Sequence, residues 1–183
     1  MEASKNPPPL MLSEWSAQLT TRSGLELNVR PAAPQDEQIV GDFFRQVTSD
    51  DLRFRFLSSL KAVGAGMVHQ LVDVDHTATE NLLAFESEGD GLVATAMIAA
   101  DEQSSDAEVA ISVRSDLKGQ GVGWAMLQHA CDYAKARGFK QLHTVELSDN
   151  RLAISLEQEM GFTGRPCPDD MNLTILTKQL EPA

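Results

Sequence analysis

The sequence predicts a mixed α/β (α+β) domain in which helices flank a central, mostly antiparallel sheet. Three patterns in the chain support this fold class. Short alternating or apolar runs bounded by turn residues occur on both sides of a helical stretch before Val113, and they are typical of paired strands. Apolar residues recur at helical spacing between residues 34 and 72 and again after residue 120. From Val113 onward strands and helices alternate, which predicts a β-α-β-α-β order for the C-terminal half.

The first expected elements are a hairpin and a helix. The runs Gln18–Thr21 and Leu25–Arg30, separated by Ser23-Gly24, predict two paired strands. Pro34 and the acids after it predict a helix start, because proline and acidic residues are favoured in the first turn. The helix is expected to run to about Val47 and to bury four apolar side chains: Ile39, Val40, Phe43 and Phe44.

Two shorter helices are expected next. Ser49 followed by two aspartates is a helix-start pattern. The helix that it opens carries the apolar residues Leu52, Phe54, Phe56 and Leu57. The segment Met67–Val72 is expected to form the other helix.

Three strands are then predicted. Glu80–Glu86 and Gly91–Ala100 are joined by the turn Gly89-Asp90-Gly91. The polar segment Glu102–Asp106 is expected to form the next turn, and Glu108–Val113 the third strand.

A long helix dominates the C-terminal half. It is expected from Gly121 to Arg137, with Gly138 as a left-handed cap. Its apolar stripe consists of Val122, Ala125, Met126, Ala130, Tyr133 and Ala134. The elements expected after it are a strand at Gln141–Glu146, a helix at Asn150–Met160 closed by Gly161, and a strand at Leu173–Lys178.

Length and composition indicate one domain with a single leader. The 183 residues are 42% hydrophobic, which is enough for one core. No apolar run approaches the length of a membrane span, and the N-terminus lacks the pattern of a secretory signal. Residues 1–16, with Pro7–Pro9, are interpreted as a flexible leader, and residues 17–183 as the domain. Cys131 and Cys167 show no metal or disulfide spacing, so a cytoplasmic location is expected.

The charge of the chain excludes one class of partner. The formal net charge is −12, whereas a general nucleic-acid binder needs a basic face. Such a charge mildly favours cationic partners through long-range steering. It is also explained by an acidic surface that keeps the protein in solution, and this second interpretation is preferred.

The glycine-rich segment after Val113 predicts a phosphate site. Gly119, Gly121 and Gly123 separate a strand from a helix, so the backbone there can approach a ligand closely. The helix start adds unpaired N–H groups and the positive end of the helix dipole. A nucleotide-hydrolase P-loop is excluded because Trp124 follows the last glycine instead of Lys-Ser/Thr. A dinucleotide fingerprint fits poorly, because several strands precede this loop.

Two ordered motifs resemble the GNAT superfamily of N-acetyltransferases. Lys118-Gly119-Gln120-Gly121-Val122-Gly123 is similar to the acetyl-CoA loop of that family, Arg/Gln-x-x-Gly-x-Gly/Ala, with Lys in the first position. The segment Asn150–Phe162 resembles the family's Asn-x-x-Ala/Met-x-x-Leu-x-x-x-x-Gly-Phe segment. Together these motifs imply the GNAT fold and acetyl-CoA as co-substrate, with no metal.

The resemblance extends to the acetyltransferase domain of bacterial protein lysine acetyltransferases. It is carried by Leu19–Gly24 with Val29-Arg30-Pro31, Pro34-Gln35-Asp36, Asp51–Phe56 and Val74-Asp75-His76. In those proteins the domain is commonly joined to a nucleotide-sensing or synthetase-like module, for which this chain is too short. The resemblance implies that the acceptor can be a protein lysine.

The resemblance also assigns roles to individual residues. Glu108 shares one strand face with Ala110 and Ser112, and similar enzymes use a Glu at this position as general base. Backbone groups of Ile111 and Val113 are expected to meet pantetheine and the thioester carbonyl. The diphosphate is expected to contact the loop residues Lys118, Gly119, Gln120, Gly121, Val122 and Gly123. Asn150 is expected to contact pantetheine, to cap the last helix, or to do both.

No dedicated acid for the leaving thiolate is evident. Many relatives use a Tyr on the last helix, where this chain has Glu157, and Ser155 is a weak substitute. Tyr133 and Cys131 are interpreted as core residues of the long helix. Since no nucleophile elbow is found, direct transfer is expected rather than an acyl-enzyme. The scattered histidines show no metal-ligand spacing.

The function expected from the sequence is therefore transfer of acetyl from acetyl-CoA to a primary amine. Two alternatives stay open at this point. One is a non-catalytic acetyl-CoA sensor or interaction module, and the other is acetylation of a small cation such as a polyamine or aminoglycoside. The acceptor site is expected within Pro34–Asp75. Neither nucleic acid nor a membrane is an expected partner, and monomer and dimer are both open.

Overall fold

The computed structural model describes residues 12–100 and 105–180. Within them lies one sheet of eight strands: β1 Ala17–Thr20, β2 Glu26–Pro31, β3 Thr79–Glu86, β4 Leu92–Ala100, β5 Asp106–Val113, β6 Gln141–Leu147, β7 Thr163–Pro166 and β8 Leu173–Gln179. The strand order is β1-β2-β3-β4-β5-β6-β8-β7, and β5–β6 is the parallel pair among antiparallel neighbours. The expected mixed, mostly antiparallel fold is confirmed.

Helices cover both faces of the sheet. The α-helices are α1 Glu37–Arg45, α2 Ser49–Phe56, α3 Ala65–Val72, α4 Val122–Ala136 and α5 Arg151–Glu159. Short 3-10 helices occupy Leu12–Trp15, Pro34–Asp36 and Ser115–Leu117. Among the described residues, none of the helices has both the length and the apolar character needed to cross a bilayer.

Strand alternation divides the core into two layers. Leu82 and Leu83 are both fully buried on β3, but Leu82 packs with α4 and Leu83 packs with α1–α3. This follows from the period of two along a strand. The predicted stripe of α4 is buried apart from Ala125, which is half-buried. The caps agree with the sequence, since Gly138 has a φ of +81°.

The structure differs from the expected elements in three places. Strand β7 was not predicted, because all four of its residues are exposed at the sheet edge and show no apolar alternation. The first helix is shorter than expected, since Pro34–Asp36 form a 3-10 turn and α1 ends at Arg45 rather than Val47. Trp15, inside the predicted leader, packs on Tyr133 with ring centroids 4.9 Å apart. Residues 1–11 of that leader and 102–104 of the predicted turn lie outside the described residues.

The sheet opens between β5 and β6. The two strands pair only from Asp106 to Glu108, opposite Gln141 to His143. Beyond Glu108, β5 continues to Val113 and β6 to Leu147 without pairing to each other. The sheet is therefore split along this seam, and we call this opening the β5–β6 split.

Candidate active site

One edge of the split is a row of backbone groups on β5. The N–H of Arg114 donates to the carbonyl oxygen of Val93 on β4 at 2.8 Å, and the two residues lie directly opposite each other in register. In an antiparallel ladder the residues that exchange such bonds alternate along the strand. The N–H and C=O groups of Ile111 and Val113 therefore face away from β4 and into the split.

The glycine-rich loop lies at the wide end of the split. Gly119 and Gly121 have φ values of +77° and +83°, so both occupy the left-handed region. The first α-helical bond of α4 runs from the N–H of Ala125 to the oxygen of Gly121 at 3.0 Å. The N–H groups of residues 122–124 therefore have no acceptor within the helix. This geometry, with the helix dipole, suits an anion such as a diphosphate.

Lys118 extends the loop with a cation that is held by α2. Its Nζ forms an ion pair with the carboxylate of Asp51, which also accepts from Ser115 Oγ at 2.8 Å. Burial raises the pKa of Asp51, but the hydrogen bonds from Lys118, Ser115 and Thr48 outweigh it and leave the pKa below its usual value. On the far side of the split Arg53 contacts Asp149 at 2.8 Å. Helix α2 is thus tied to the loop beyond each strand.

Glu108 lies at the narrow end of the split. It is the last residue of β5 that pairs with β6, and its carboxylate is 3.4 Å from Nε2 of His143. The side chain is half exposed and shares its face with Ala110, whose cross-strand neighbour Met97 packs with the α1–α3 layer. Glu108 therefore faces the side on which the acceptor-binding helices were expected.

Arg55 of α2 is a charged residue that the sequence did not reveal. Its Nη2 lies 3.8 Å from the sulfur of Met97, and its buried Nε has no hydrogen-bond partner among the described residues. Burial lowers the pKa of Arg55 to about 10, while the charges of Glu108 and Glu146 act in the opposite direction. The guanidinium is therefore enclosed near two acids. The Arg-Phe-Arg-Phe sequence of α2 does not predict that Arg55 is enclosed.

Asn150 is placed differently from one expectation. It occupies the N-cap position of α5, as expected, but its side chain makes no capping hydrogen bond. Its amide instead donates to Glu146 Oε2 at 2.6 Å. Glu146 sits where β6 borders the split, and this restrains Asn150 toward the split.

Glu157 is buried beside the same group. It is 5% exposed and accepts from Thr144 Oγ1 at 2.7 Å. Burial, helped by the charge of Glu146, raises the pKa of Glu157 to about 8. Burial also raises the pKa of Glu146, to about 7. Sequence spacing identified the position of Glu157, but nothing in the sequence indicated Glu146 as its partner.

Helix α5 reaches across to the β5 side. A Cβ built on Gly123 would lie 3.7 Å from Leu156 Cδ1 and 3.8 Å from Val113 Cγ2. Three elements therefore meet at this point: the end of β5, the start of α4 and the middle of α5.

The predicted site residues fall along one line. Lys118–Gly123 occupy one end of β5, Ile111 and Val113 lie beside the split, and Glu108 is at the other end. At about 3.3 Å per residue, Val113 and Glu108 are about 17 Å apart. Asn150 lies on the β6 side. The arrangement suits an elongated ligand with an anionic end and a reactive end.

Other candidate residues are distant from this line or unsuited to it. Tyr133 and Cys131 are buried on α4, and burial raises their pKa values to about 12 and about 11. Both belong to the core, as predicted. Ser155 is exposed on α5. Within residues 12–100 and 105–180, no cluster of three or more His, Cys, Asp or Glu side chains is arranged to hold a metal.

Comparison with known proteins gives consistent results. A model of the acetyltransferase (GNAT) family matches residues 46–162. The curated protein Acetyltransferase PA5475 of Pseudomonas aeruginosa is 27% identical over 154 residues, which cover 83% of each chain. The residues matched by the family model include the glycine-rich loop, Glu108 and Asn150.

Solved structures share the fold. The GNAT domain of S. lividans PAT superposes with a TM-score of 0.85 at 24% identity, covering 93% of this chain and 100% of that one. Spermidine N-acetyltransferase from Vibrio cholerae, solved with CoA and spermine, gives 0.70 at 13% identity and covers 84% of this chain and 95% of that one. At these identities the likeness concerns the fold alone.

Proposed function

The chain belongs to the acetyltransferase (GNAT) family, and on that premise we propose that it transfers the acetyl group of acetyl-CoA to a primary amine, with protein lysine as the preferred acceptor. One observation carries this proposal. Within the described residues the sheet opens along β5 and β6, with the glycine-rich loop at one end of β5 and Glu108 at the other. Diphosphate and thioester would lie at these two ends.

The residues present fit coenzyme A. Free N–H groups at the start of α4 and the ammonium of Lys118 suit the diphosphate. The split-facing backbone groups of Ile111 and Val113 suit the amides of pantetheine, which need donors and acceptors in alternation. Asn150 adds a side-chain amide on the β6 side. Acetyl-CoA supplies the activated acyl group.

Direct transfer needs few protein groups. Glu108 accepts a proton from the acceptor ammonium, directly or through one water. The neutral nitrogen then attacks the thioester carbonyl carbon, and a split-facing N–H of β5 stabilises the charge that develops on oxygen. The C–S bond breaks, the thiolate leaves with its electron pair, and the new amide nitrogen loses its second proton to water. His143 beside Glu108 helps to hold the carboxylate in place.

The acceptor side is formed by α1–α3 and the residues on the Glu108 face. Protein lysine is preferred because the sequence resembles the acetyltransferase domain of bacterial protein lysine acetyltransferases along nearly the whole chain. A small polyamine is the second candidate. It is supported by the net charge of −12 and by the fold shared with the Vibrio cholerae spermidine enzyme. The free thiols of Cys131 and Cys167 support a reducing, cytoplasmic setting.

Release of free thiol from acetyl-CoA tests the proposal. We expect turnover with lysine-containing peptides or polyamines, and a loss of at least about 100-fold in kcat for Glu108→Gln, because a general base is removed. The affinity for acetyl-CoA should stay unchanged in this variant. Glu88→Gln, at an exposed turn, is the matched control.

Two results would contradict the proposal. Tight acetyl-CoA binding without turnover on a broad amine panel would indicate a sensor or interaction module. Equal kcat values for the wild type and Glu108→Gln would remove Glu108 from the mechanism while leaving acetyl transfer intact.

A further inference from the structure

Arg22 and Trp124 are stacked beside the glycine-rich loop. Arg22 lies on the turn between β1 and β2, and its Cζ is 3.5 Å from the centroid of the Trp124 ring. Arg22 is exposed, whereas Trp124, the third residue of α4, is half-buried. The acetyl-transfer steps described above use neither side chain. We call the two side chains the Arg22–Trp124 stack.

The β1–β2 turn is fastened to the glycine-rich loop. Ser23 Oγ donates to the carbonyl oxygen of Gln120 at 2.8 Å. A Cβ built on Gly121 would lie 3.1 Å from the backbone nitrogen of Arg22, so the two backbones are in close contact. The turn therefore holds the Arg22 backbone against the loop, and the indole ring supports its guanidinium. A side chain that is held in this way loses less conformational entropy when it binds a ligand.

The charge of Arg22 is not balanced by a nearby acid. Lys118, a second cation of the loop region, forms an ion pair with Asp51. Arg22 forms no ion pair in the part of the chain that the structure describes, where its guanidinium contacts the Trp124 ring instead. A chain with a net charge of −12 repels an anionic ligand at long range. An uncompensated cation beside a phosphate-binding loop offsets this repulsion locally.

The stack lies on the side of the loop that faces away from the split. A Cβ on Gly123 would contact Leu156 and Val113, which border the split. A Cβ on Gly121 would instead contact the β1–β2 turn that carries Arg22. In the proposed function the split takes pantetheine and the start of α4 takes the diphosphate. The part of coenzyme A that remains for the outer side of the loop is the adenosine, whose ribose carries a phosphate monoester.

We infer that Arg22, supported by Trp124, binds the ribose phosphate of coenzyme A and so selects coenzyme A thioesters. The inference rests on the proposed function. A guanidinium presents its N–H donors in a planar fork that fits two oxygens of one phosphate. Phosphopantetheine thioesters, including those carried on proteins, lack this ribose phosphate. The contact therefore distinguishes the free nucleotide thioester from other pantetheine donors.

The test measures binding of coenzyme A and of dephospho-CoA, which lacks only the ribose phosphate, by calorimetric titration. We expect the wild type to bind coenzyme A on the order of tenfold to a hundredfold more tightly than dephospho-CoA, the range of a charge-assisted hydrogen bond. Arg22→Ala should lower the affinity for coenzyme A to that for dephospho-CoA and leave the affinity for dephospho-CoA unchanged. Arg165→Ala, exposed on the edge strand β7, removes the same charge and is the matched control.

The tryptophan provides a second readout. Trp124→Leu removes the aromatic support and should reduce the preference for coenzyme A by about threefold, as expected for a cation–π contact of about 0.5–1 kcal/mol. In the wild type the fluorescence of Trp124 should change more with coenzyme A than with dephospho-CoA. Trp15, the other tryptophan of the chain, lies against Tyr133 and should contribute the same signal with both ligands.

Several outcomes would overturn the inference. Equal affinities of the wild type for the two ligands would show that the ribose phosphate is not bound. An equal loss of both affinities in Arg22→Ala would assign Arg22 to the diphosphate or the adenine. Arg151 is an exposed arginine at the start of α5, on the β6 side of the split. If Arg151→Ala removes the preference and Arg22→Ala does not, the phosphate is bound at α5.

Failure of the proposed function would be recognised separately. If the wild type binds neither ligand, both the proposed function and this inference fail. If the wild type shows the expected preference but releases no thiol with any amine, acetyl transfer is contradicted and the phosphate contact is supported.

Discussion

Buried charges at single positions are the part of the site that the sequence reveals least. Arg55 stands between Glu108 and Glu146, with a buried Nε that has no partner among the described residues. An enclosed guanidinium is costly unless nearby charge compensates it. Its position beside the split indicates that its charge balances the acids there. The same charge lowers the pKa of Glu146, which burial raises.

How much of the site could be predicted differs by residue. Glu108 and the glycine-rich loop were predictable because strand alternation and glycine spacing can be read directly from the sequence. Glu157 was recognised by position, but its burial beside Thr144, which raises its pKa, is not encoded by any local pattern. Asn150 occupies the predicted N-cap position, but its amide donates to Glu146, four residues earlier, and no side-chain capping bond forms.

Asp36 provides a prediction about stability. Its buried carboxylate accepts two bonds from Arg30, both 2.7 Å, and one from the N–H of Ala33 at 2.8 Å. We expect Asp36→Asn to lower the free energy of unfolding by about 2 kcal/mol at pH 7, since charge-assisted bonds to a buried group are lost. Urea unfolding measures this.

The stabilisation by Asp36 is expected to depend on pH. The hydrogen bond from Arg30 holds the pKa of Asp36 below its unfolded value of 3.8. The stabilisation is therefore complete above pH 3.8 and is lost as pH falls through the folded pKa. The difference between wild type and variant should shrink in acid. Asp42→Asn, in an exposed pair with Arg45, should cost under about 0.5 kcal/mol throughout.

At the scale of elements, periodicity and caps predicted most helices and strands. Strong signals such as the α4 stripe and the glycines that end α4 and α5 were sufficient. The sequence did not predict strand β7, because Thr-Gly-Arg-Pro shows neither apolar alternation nor burial. The strand forms by pairing with β8. The β5–β6 split was also unpredictable, since strand divergence depends on contacts between distant segments.

The loop–helix junction gives an element-scale prediction. Gly121 has a φ of +83°, and a Cβ there would lie 3.1 Å from the backbone nitrogen of Arg22. We expect Gly121→Ala to lower the free energy of unfolding by about 1–2 kcal/mol through backbone strain. Displacement of the loop should also weaken CoA binding about tenfold. Thermal unfolding and CoA titration measure the two effects.

A matched glycine separates strain from a general glycine effect. Gly66 lies in α3, where an added Cβ meets nothing within 4 Å. Gly66→Ala should raise stability by about 0.5–1 kcal/mol and leave CoA binding unchanged. Equal behaviour of the two variants would contradict the role assigned to the Gly121 conformation.

At the scale of the whole molecule, net charge governs how the acceptor arrives. A charge of −12 attracts cations before they reach the split. We expect kcat/KM for a polyamine or lysine peptide to fall about tenfold as the Debye length shrinks from about 30 to about 3 Å, between 0.01 and about 1 M salt. Steady-state kinetics measure it. A neutral aromatic amine should show little change, and a parallel loss for both acceptors would argue against steering.

The split has a mechanical consequence for the assembled domain. Only three residues of β5 pair with β6. The sheet therefore consists of two parts, β1–β5 and β6–β8, which are joined by this short paired segment. A molecule that bonds to both free edges would act as a substitute strand and complete the ladder. The rigidity of the domain would then depend on whether the split is occupied. The bound cofactor would hold the two parts of the sheet together as well as take part in the reaction.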